Sequence, residues 1–202
     1  MSQKKMANHR KLIDFIRGYE GGLSKALTDN ARKDPVPDGS GYHTNQGITW
    51  ATFRYMAKAC GYTATPALFY QMPLDIWTKI YKAGFWDGIK GDLISVQGIA
   101  DYLVDFAWAS GPVTAGKYLR LALLDLGFAK VDPVPARVIT PDLVRNYINK
   151  ANPAALLAAL DKRRRAFVEA IPGTVNDKGW FRRITDLYQG ATKNLAALPL
   201  PA

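Results

Sequence analysis

Cysteine is almost absent from this chain of 202 residues, because Cys60 is its only one. A single cysteine excludes an intramolecular disulfide and is too little for a cysteine-rich zinc site or an iron–sulfur cluster. Cys60 ends an apolar helical pattern, so we expect it to fill the core, where a buried cysteine is inert. A catalytic pair of Cys60 with a histidine is the alternative.

Long apolar runs and histidines are also scarce. Nowhere do about 18 apolar residues follow one another, which is what a membrane-spanning helix needs. The first ten residues hold Lys4, Lys5 and Arg10 but no apolar stretch of the length of a secretory signal. We therefore expect a soluble protein that is made in the cytoplasm without a signal peptide. His9 and His43 form no metal-binding pattern, so no metal and no cofactor are expected.

Acidic residues are few relative to basic ones. The 27 Lys and Arg residues outnumber the 17 Asp and Glu residues and give a formal net charge of +10. Such a surface attracts polyanions through its summed field, so nucleic acid, anionic lipid and anionic envelope polymers are all candidate partners. An Arg-rich low-complexity tail is missing, and charge alone does not choose among these partners.

What the chain does contain is helical periodicity. The length suits one core, or a catalytic core with a small appended unit. Segment 28–49 is rich in Asp, Asn, Pro and Gly, which indicates loops with a small hairpin. Thr140-Pro141 and Asn152-Pro153 each look like a helix cap followed by a first-turn proline. Apolar spacing and caps predict further helices over 6–19, 50–60, 74–83, 97–109, 113–126 and 180–198. The fold class is therefore α+β and predominantly helical.

Glu20 is the candidate with the clearest chemistry. It closes the first predicted helix, and Gly21-Gly22 follow it. The partial negative charge at a helix C-terminus favours the protonated form of a carboxyl group, and enclosure by Tyr19 acts in the same direction. A protonated carboxyl group is what a glycosidase needs to protonate the leaving oxygen. The alternative is an ordinary surface glutamate before a helix stop.

The sequence around Glu20 resembles a known family. An EGG tripeptide at 20–22 is followed, after a Gly- and Asp-bearing loop, by TNQGIT at 44–49. This pattern resembles glycoside hydrolase family 108, the N-acetylmuramidases with a lysozyme-like fold. The resemblance implies a lysozyme-like α+β fold, with a small hairpin that bears Asp38 and Thr44 across a cleft from Glu20. It also implies hydrolysis of the β-1,4 bond between N-acetylmuramic acid and N-acetylglucosamine.

The second catalytic group is open at this stage. The family's Asp-Pro-Gly-Gly turn is replaced by Asp38-Gly39-Ser40-Gly41, one residue further from Thr44 than in the family. Asp38 or the Thr44 hydroxyl is expected to position water or stabilise positive charge at the sugar ring. Asp29 and Asp34 are alternatives to Asp38. For substrate binding, the predicted side chains are Tyr42, Asn45 and Trp86.

The resemblance extends into the second half of the chain. FWD at 85–87, DFAWASGP at 105–112 and GWFRR at 179–183 are similar to the peptidoglycan-binding part of the same family. We therefore expect a lysozyme-like catalytic part over 6–84 and a helical peptidoglycan-binding part over 85–198.

Two charged clusters have structural explanations. Asp101 and Asp105 lie four residues apart on one predicted helix and would form a carboxylate pair. Asp105 is instead expected to be a buried hydrogen-bonding residue that fixes the turn at Ser110-Gly111. The run 162–165, KRRR, is expected to be a solvated helix face rather than a phosphate-binding site.

The predicted function is that of a monomeric, endolysin-like peptidoglycan hydrolase. The expected partners are bacterial peptidoglycan and anionic envelope polymers, with no obligatory nucleic acid and no transmembrane segment. If it acts on the wall, export or holin-type release must carry it to the periplasm or cell wall. The alternatives are a lytic transglycosylase, which ends in an anhydro-sugar, and a non-catalytic basic protein that binds cell wall or nucleic acid.

Overall fold

A computed structural model describes residues 6–128, 131, 138–172 and 177–196. The chain is predominantly helical with one small antiparallel hairpin, as the sequence predicts. It divides into two compact units. One is Leu12–Gly84, and the other is formed by the described residues within Met1–Lys11 and Phe85–Ala202.

The unit Leu12–Gly84 contains the hairpin and the shorter helices. Strands β1 (Thr44–Asn45) and β2 (Ile48–Thr49) pair antiparallel, with Thr44 opposite Thr49 and Asn45 opposite Ile48. One 3-10 turn covers Asn30–Lys33, and another, His9–Leu12, ends at the first residue of this unit. The helices are α1 (Ile13–Tyr19), α2 (Trp50–Ala59), α3 (Pro66–Tyr70) and α4 (Leu74–Tyr81).

Two threonine side chains cap helices in this unit. The Thr49 side chain accepts the backbone N–H of Thr52 at the start of α2, and the Thr65 side chain does the same for Leu68 at α3. An aromatic cluster fills the core beneath them, because the rings of Trp50, Phe53 and Phe69 lie 5.3 to 5.7 Å apart. This packing joins α2 to α3.

The second unit is a bundle of longer helices. Helix α5 (Gln97–Ser110) contacts α6 (Pro112–Asp125), α8 (Pro153–Glu169) and α9 (Asp177–Ala196). The bundle also holds the one-turn α7 (Pro141–Leu143), capped by Thr140, and the side chain of Asn152 caps α8 at Ala155. Helix α5 is the central helix, since every residue from Gly98 to Ala107 is buried.

Several boundaries differ from the sequence prediction. The first α-helix begins at Ile13 because His9–Leu12 forms a 3-10 turn. The helix predicted over 74–83 ends at Tyr81 and continues as a wider π turn, Lys82–Trp86. The 3-10 and π turns differ from an α-helix in their backbone hydrogen-bond pattern, and the spacing of apolar residues does not predict that pattern. Helix α9 starts before the predicted residue 180, and residues 197–198 of the predicted last helix lie outside the described residues.

Three side-chain predictions need correction. Asp105 is fully buried as expected, but its partners are Arg164 and Arg183 rather than the turn at Ser110-Gly111. Cys60 is half-buried rather than in the core. The run 162–165 is not one solvated face: Lys162 is exposed, but Arg163 pairs with Asp125, Arg164 is buried against Asp105, and Arg165 pairs with Asp161.

Candidate active site

Glu20 stands where helix α1 ends. Its backbone leaves the helical conformation, with φ −89° and ψ 135°, and its N–H donates to the carbonyl of Arg17. The side chain is half-buried. The extended backbone at this one residue turns the chain into Gly21-Gly22, so the carboxyl group projects from the helix terminus.

The hairpin turn beside Glu20 is held from three sides. Gln46 and Gly47 both have positive φ, 49° and 77°, as a tight two-residue turn requires. The Gln46 side chain accepts from Arg17 Nη2 at 3.3 Å and donates to the carbonyl of Met72 at 3.2 Å. Its backbone carbonyl accepts from Trp77 Nε1 at 3.0 Å. These bonds stabilise a non-glycine residue in the left-handed region.

Gly47 touches the carboxyl group of Glu20. A Cβ added to Gly47 would lie 2.4 Å from Oε2 and 2.6 Å from Cδ of Glu20. Only a residue without a side chain leaves this space free, so Gly47 is needed both for its positive φ and for the approach of Glu20. The glycine of the TNQGIT segment therefore has a direct structural link to the predicted acid.

A cleft of about 430 Å³ opens beside Glu20. Its lining consists of Asp14, Arg17, Gly18, Glu20, Gly21, Gly22 and Gln46. Asp14 was not singled out from the sequence. The signal was there, because residues 14, 17 and 18 share one face of the first predicted helix, which leads into Glu20. The cleft thus contains two carboxyl groups and one guanidinium group, while Asp38 and Thr44 do not line it.

Asp38 lies in the turn before the hairpin and not on the hairpin, which corrects the sequence prediction. Hydrogen bonds from the Ser40 and Tyr70 side chains and from the Ser40 backbone N–H lower the pKa of Asp38 to about 2. Burial, together with the hydrogen bond to Asp38, raises the pKa of Tyr70. Asp38 is therefore a stable carboxylate at any pH at which the enzyme would work, and it suits electrostatic stabilisation better than proton transfer.

Thr44 is oriented by a buried histidine. His43 Nε2 lies 3.2 Å from the carbonyl oxygen of Ala26, which only accepts, so this nitrogen carries a proton. In the neutral ring, Nδ1 then accepts the Thr44 hydroxyl proton across 3.0 Å. The Thr44 oxygen keeps its lone pairs for another donor, such as a water. This role of His43 was not predicted from the sequence, because it depends on a tertiary contact with the carbonyl of Ala26.

The alternatives to Asp38 have local partners. Asp29 caps the 3-10 turn through its Oδ1 contact with the N–H of Ala31 at 2.9 Å, and its Oδ2 lies 3.8 Å from His43 Nδ1. Asp34 forms an ion pair with Arg54. Both carboxylates have structural tasks in the long loop, and neither lines the cleft at Glu20.

The three predicted substrate-binding residues lie in different surroundings. Tyr42 is half-buried, with its ring against Tyr70 and the Lys25 ammonium 5.3 Å from the ring centre. Asn45 is buried, and its amide donates to the carbonyls of Phe69 and Tyr70. Trp86 is also buried and donates to Asp92. Burial favours a structural role for Asn45 and Trp86 over contact with a sugar, while Tyr42 stays a predicted binding residue.

Comparison with known proteins defines the class. Residues 13–111 match the model of the family described as Glycosyl hydrolase 108. A solved structure of SagA from Brucella abortus is similar in fold, with a TM-score of 0.70 and 23% identity over 92% of this chain and 94% of that one. No curated protein matches the chain.

The class of protein is therefore a glycoside hydrolase. Its substrate is bacterial peptidoglycan, so the chain is a peptidoglycan hydrolase. In the described part of the chain, no helix is long and apolar enough to cross a membrane.

Proposed function

We propose that this protein is an N-acetylmuramidase that hydrolyses the β-1,4 bond between N-acetylmuramic acid and N-acetylglucosamine, with Glu20 as the general acid. The observation that carries the proposal is the contact of the Glu20 carboxyl group with Gly47 at the edge of an open cleft. A carboxyl group held at a helix terminus by a rigid turn is positioned for proton transfer, and general acids act only within hydrogen-bond reach of the leaving oxygen.

In the proposed reaction, Glu20 gives its proton to the glycosidic oxygen as the bond to the anomeric carbon breaks. Water then adds its hydroxyl to that carbon and returns one proton to the enzyme, so each cleavage creates one new reducing end, at N-acetylmuramic acid, and one new non-reducing end, at N-acetylglucosamine. Thr44 is a positioning residue for this water, since its hydroxyl oxygen is held 3.0 Å from His43 Nδ1. Asp38 supplies a permanent negative charge that favours the developing positive charge at the ring.

Catalysis and peptidoglycan binding are assigned to different parts of the chain. We propose that 6–84 is the catalytic part and that 85–198 binds peptidoglycan. The compact unit that ends at Gly84 contains Glu20, Thr44 and Asp38, which supports the first assignment. The family match continues to residue 111 and so includes α5, the central helix of the second unit. The net charge of +10 supports association with anionic envelope polymers.

The proposed place of action is the periplasm or the cell wall, reached by export or by holin-type release, and the proposed active form is a monomer. Neither bears on the chemistry of the cleft.

The decisive experiment compares wild type with Glu20→Gln on purified peptidoglycan. New reducing ends and product masses that contain one added water per cleavage support hydrolysis. Products lighter by one water identify a lytic transglycosylase. If wild type releases no sugar fragments but binds the wall, the protein is a non-catalytic binder and the proposal is wrong.

A further inference from the structure

A small pocket in the helical unit is lined by two arginines. It has a volume of about 60 Å³ and is enclosed by the end of α5 and by α8 and α9. Its lining consists of Ala109, Ser110, Arg164, Val168, Trp180, Arg183 and Ile184. Neither the proposed cleavage reaction nor the family match over 13–111 assigns a role to residues 164–184.

The two arginines share one buried carboxylate. Arg164 Nη2 donates to Asp105 Oδ2 at 2.8 Å, and Arg183 donates to Asp105 Oδ1 through Nη2 at 2.6 Å and Nε at 2.9 Å. Burial alone would raise the pKa of Asp105, but the two guanidinium groups hold it below its ordinary value. Asp105 therefore accepts hydrogen bonds from two guanidinium groups in a buried place.

Arg164 also has an unused donor. Only 3% of this residue is exposed, and its Nη1 has no hydrogen-bond partner among the described residues. Its guanidinium carbon lies 5.0 Å from the ring centre of Phe106 and 5.4 Å from that of Tyr102, which fixes the plane of the group. A buried guanidinium N–H without an acceptor is costly, so an acceptor bound in the pocket would lower the free energy of this arrangement.

The lining indicates which kind of acceptor fits. Ala109, Val168, Ile184 and the ring of Trp180 give the pocket an apolar wall, while the arginines and Ser110 give it a polar one. A tetrahedral phosphate dianion would leave several oxygens against the apolar wall, and unpaired buried charge is unfavourable. A carboxylate that carries one methyl group matches both walls and the volume.

We propose that this pocket binds a carboxylate with a small apolar substituent, namely the terminal D-alanine of a peptidoglycan stem peptide. This assignment rests on the proposed function, because peptidoglycan is what supplies such a group. Arg164 Nη1 and Ser110 receive the carboxylate, and Trp180, which is 41% exposed, covers the methyl group at the mouth. The pocket would anchor the peptide of the wall while the other unit cleaves the glycan.

The test uses the full chain and three probes in solution: N-acetyl-D-alanine, its uncharged amide and inorganic phosphate. Binding is followed by calorimetry and by NMR of the Trp180 indole N–H. The acid should bind with a dissociation constant of about 1 mM, as expected for so small a ligand, and the amide and phosphate at least about tenfold more weakly. Equal binding of the amide or of phosphate, or no binding of the acid, overturns the proposal.

Two substitutions of the same kind locate the site. Ala109→Leu fills the pocket without removing a charge, whereas Ala158→Leu makes the same change at an exposed position of α8 outside the pocket lining. Only Ala109→Leu should abolish binding of the acid. Trp180→Ala should weaken binding without disturbing the buried ion cluster. If Ala109→Leu binds like wild type, the ligand lies elsewhere and the proposal is wrong.

Cleavage assays keep this proposal separate from the muramidase proposal. Ala109→Leu should cleave glycan strands stripped of peptide at the wild-type rate, because Glu20 and its cleft are unchanged, and should digest intact sacculi more slowly. The two proposals fail independently. Wild type that cleaves stripped glycan but does not bind the acid overturns only the pocket proposal, and wild type that binds the acid but releases no sugar fragments overturns only the muramidase proposal.

Discussion

The carboxyl group of Glu20 lies against the Cα of Gly47, so closely that a Cβ at Gly47 would be 2.4 Å from Oε2. Two residues that are 27 positions apart in the sequence are thus in direct contact. The hairpin turn limits the positions that the carboxyl group can take, and the turn itself is bonded to Arg17, Met72 and Trp77.

Gly47→Ala should therefore lower kcat. The new methyl group must displace the Glu20 carboxyl group or the turn, and a displacement of about 1 Å at a catalytic group costs on the order of a hundredfold in rate. Steady-state kinetics on soluble glycan oligomers would measure it. Gly61→Ala is the matched control, because Gly61 has a similar φ of 83° but open space around it. Both changes should destabilise the fold by about 1 kcal/mol, and only the first should reduce kcat.

Glu20→Gln should remove nearly all turnover and leave the fold intact. The amide has the same shape but no proton to donate, and loss of a general acid costs at least about a hundredfold. Release of reducing ends, with circular dichroism to check folding, is the measurement. Asp101→Asn, in the helical unit, should cleave at close to the wild-type rate. Clearing of wall suspensions by Glu20→Gln at the wild-type rate would refute the role of Glu20.

Asp38→Asn and Thr44→Ala should each slow cleavage by less than Glu20→Gln, since neither group supplies the proton. Thr44→Ser should keep most of the activity, because the serine hydroxyl preserves the bond to His43. The comparison set is Asp14→Asn, Asp29→Asn and Asp34→Asn. If any of these three is more damaging than Asp38→Asn, the second carboxylate is that residue and not Asp38.

Asp101 should make stability depend on pH. Burial raises the pKa of Asp101 to about 7, against 3.8 ordinarily, although Gln97 and Lys11 lower it. Because the folded-state pKa is raised, the contribution of Asp101 to the free energy of unfolding is most favourable below about pH 4. That contribution is lost as the pH rises to about 7. The full difference corresponds to roughly 4 kcal/mol.

Urea unfolding across this pH range would measure the effect. The stability of Asp101→Asn relative to wild type should rise from pH 4 to pH 7 and then level off. A difference that stays constant across the range would show that Asp101 is ionised in the folded protein throughout.

The positive surface should raise the rate at which the protein associates with the cell wall and should leave the rate of bond cleavage unchanged. Exposed charges more than about 10 Å apart are screened at 0.1 M salt, so steering toward an anionic wall fades as salt rises. Rates on intact sacculi should fall over a salt series while rates on a short, nearly neutral oligomer stay flat. An equal fall on both substrates would place the basic residues in the catalytic cleft, and no fall on either would assign them to another partner.

Local sequence determined the parts of this protein that depend on near neighbours. Thr140 and Asn152 cap helices as the sequence predicts, because a cap bonds only two or three residues ahead. The end of α1 at Glu20 was predictable for the same reason. The predominantly helical α+β class followed from apolar periodicity, and the Glycosyl hydrolase 108 match is consistent with the resemblance seen at 20–22 and 44–49.

Tertiary structure alone decided which distant groups meet. Arg164 looks like any other member of a basic run, yet it is buried because Asp105, 59 residues away, gives it a partner. The Asp38 carboxylate accepts a hydrogen bond from the Tyr70 hydroxyl. Asn45 is buried because its amide donates to a backbone carbonyl of α3. A charged or polar side chain is stable inside a protein only when it has a hydrogen-bond or ion-pair partner there. In these cases the partner is distant in the sequence, so local spacing does not predict the contact.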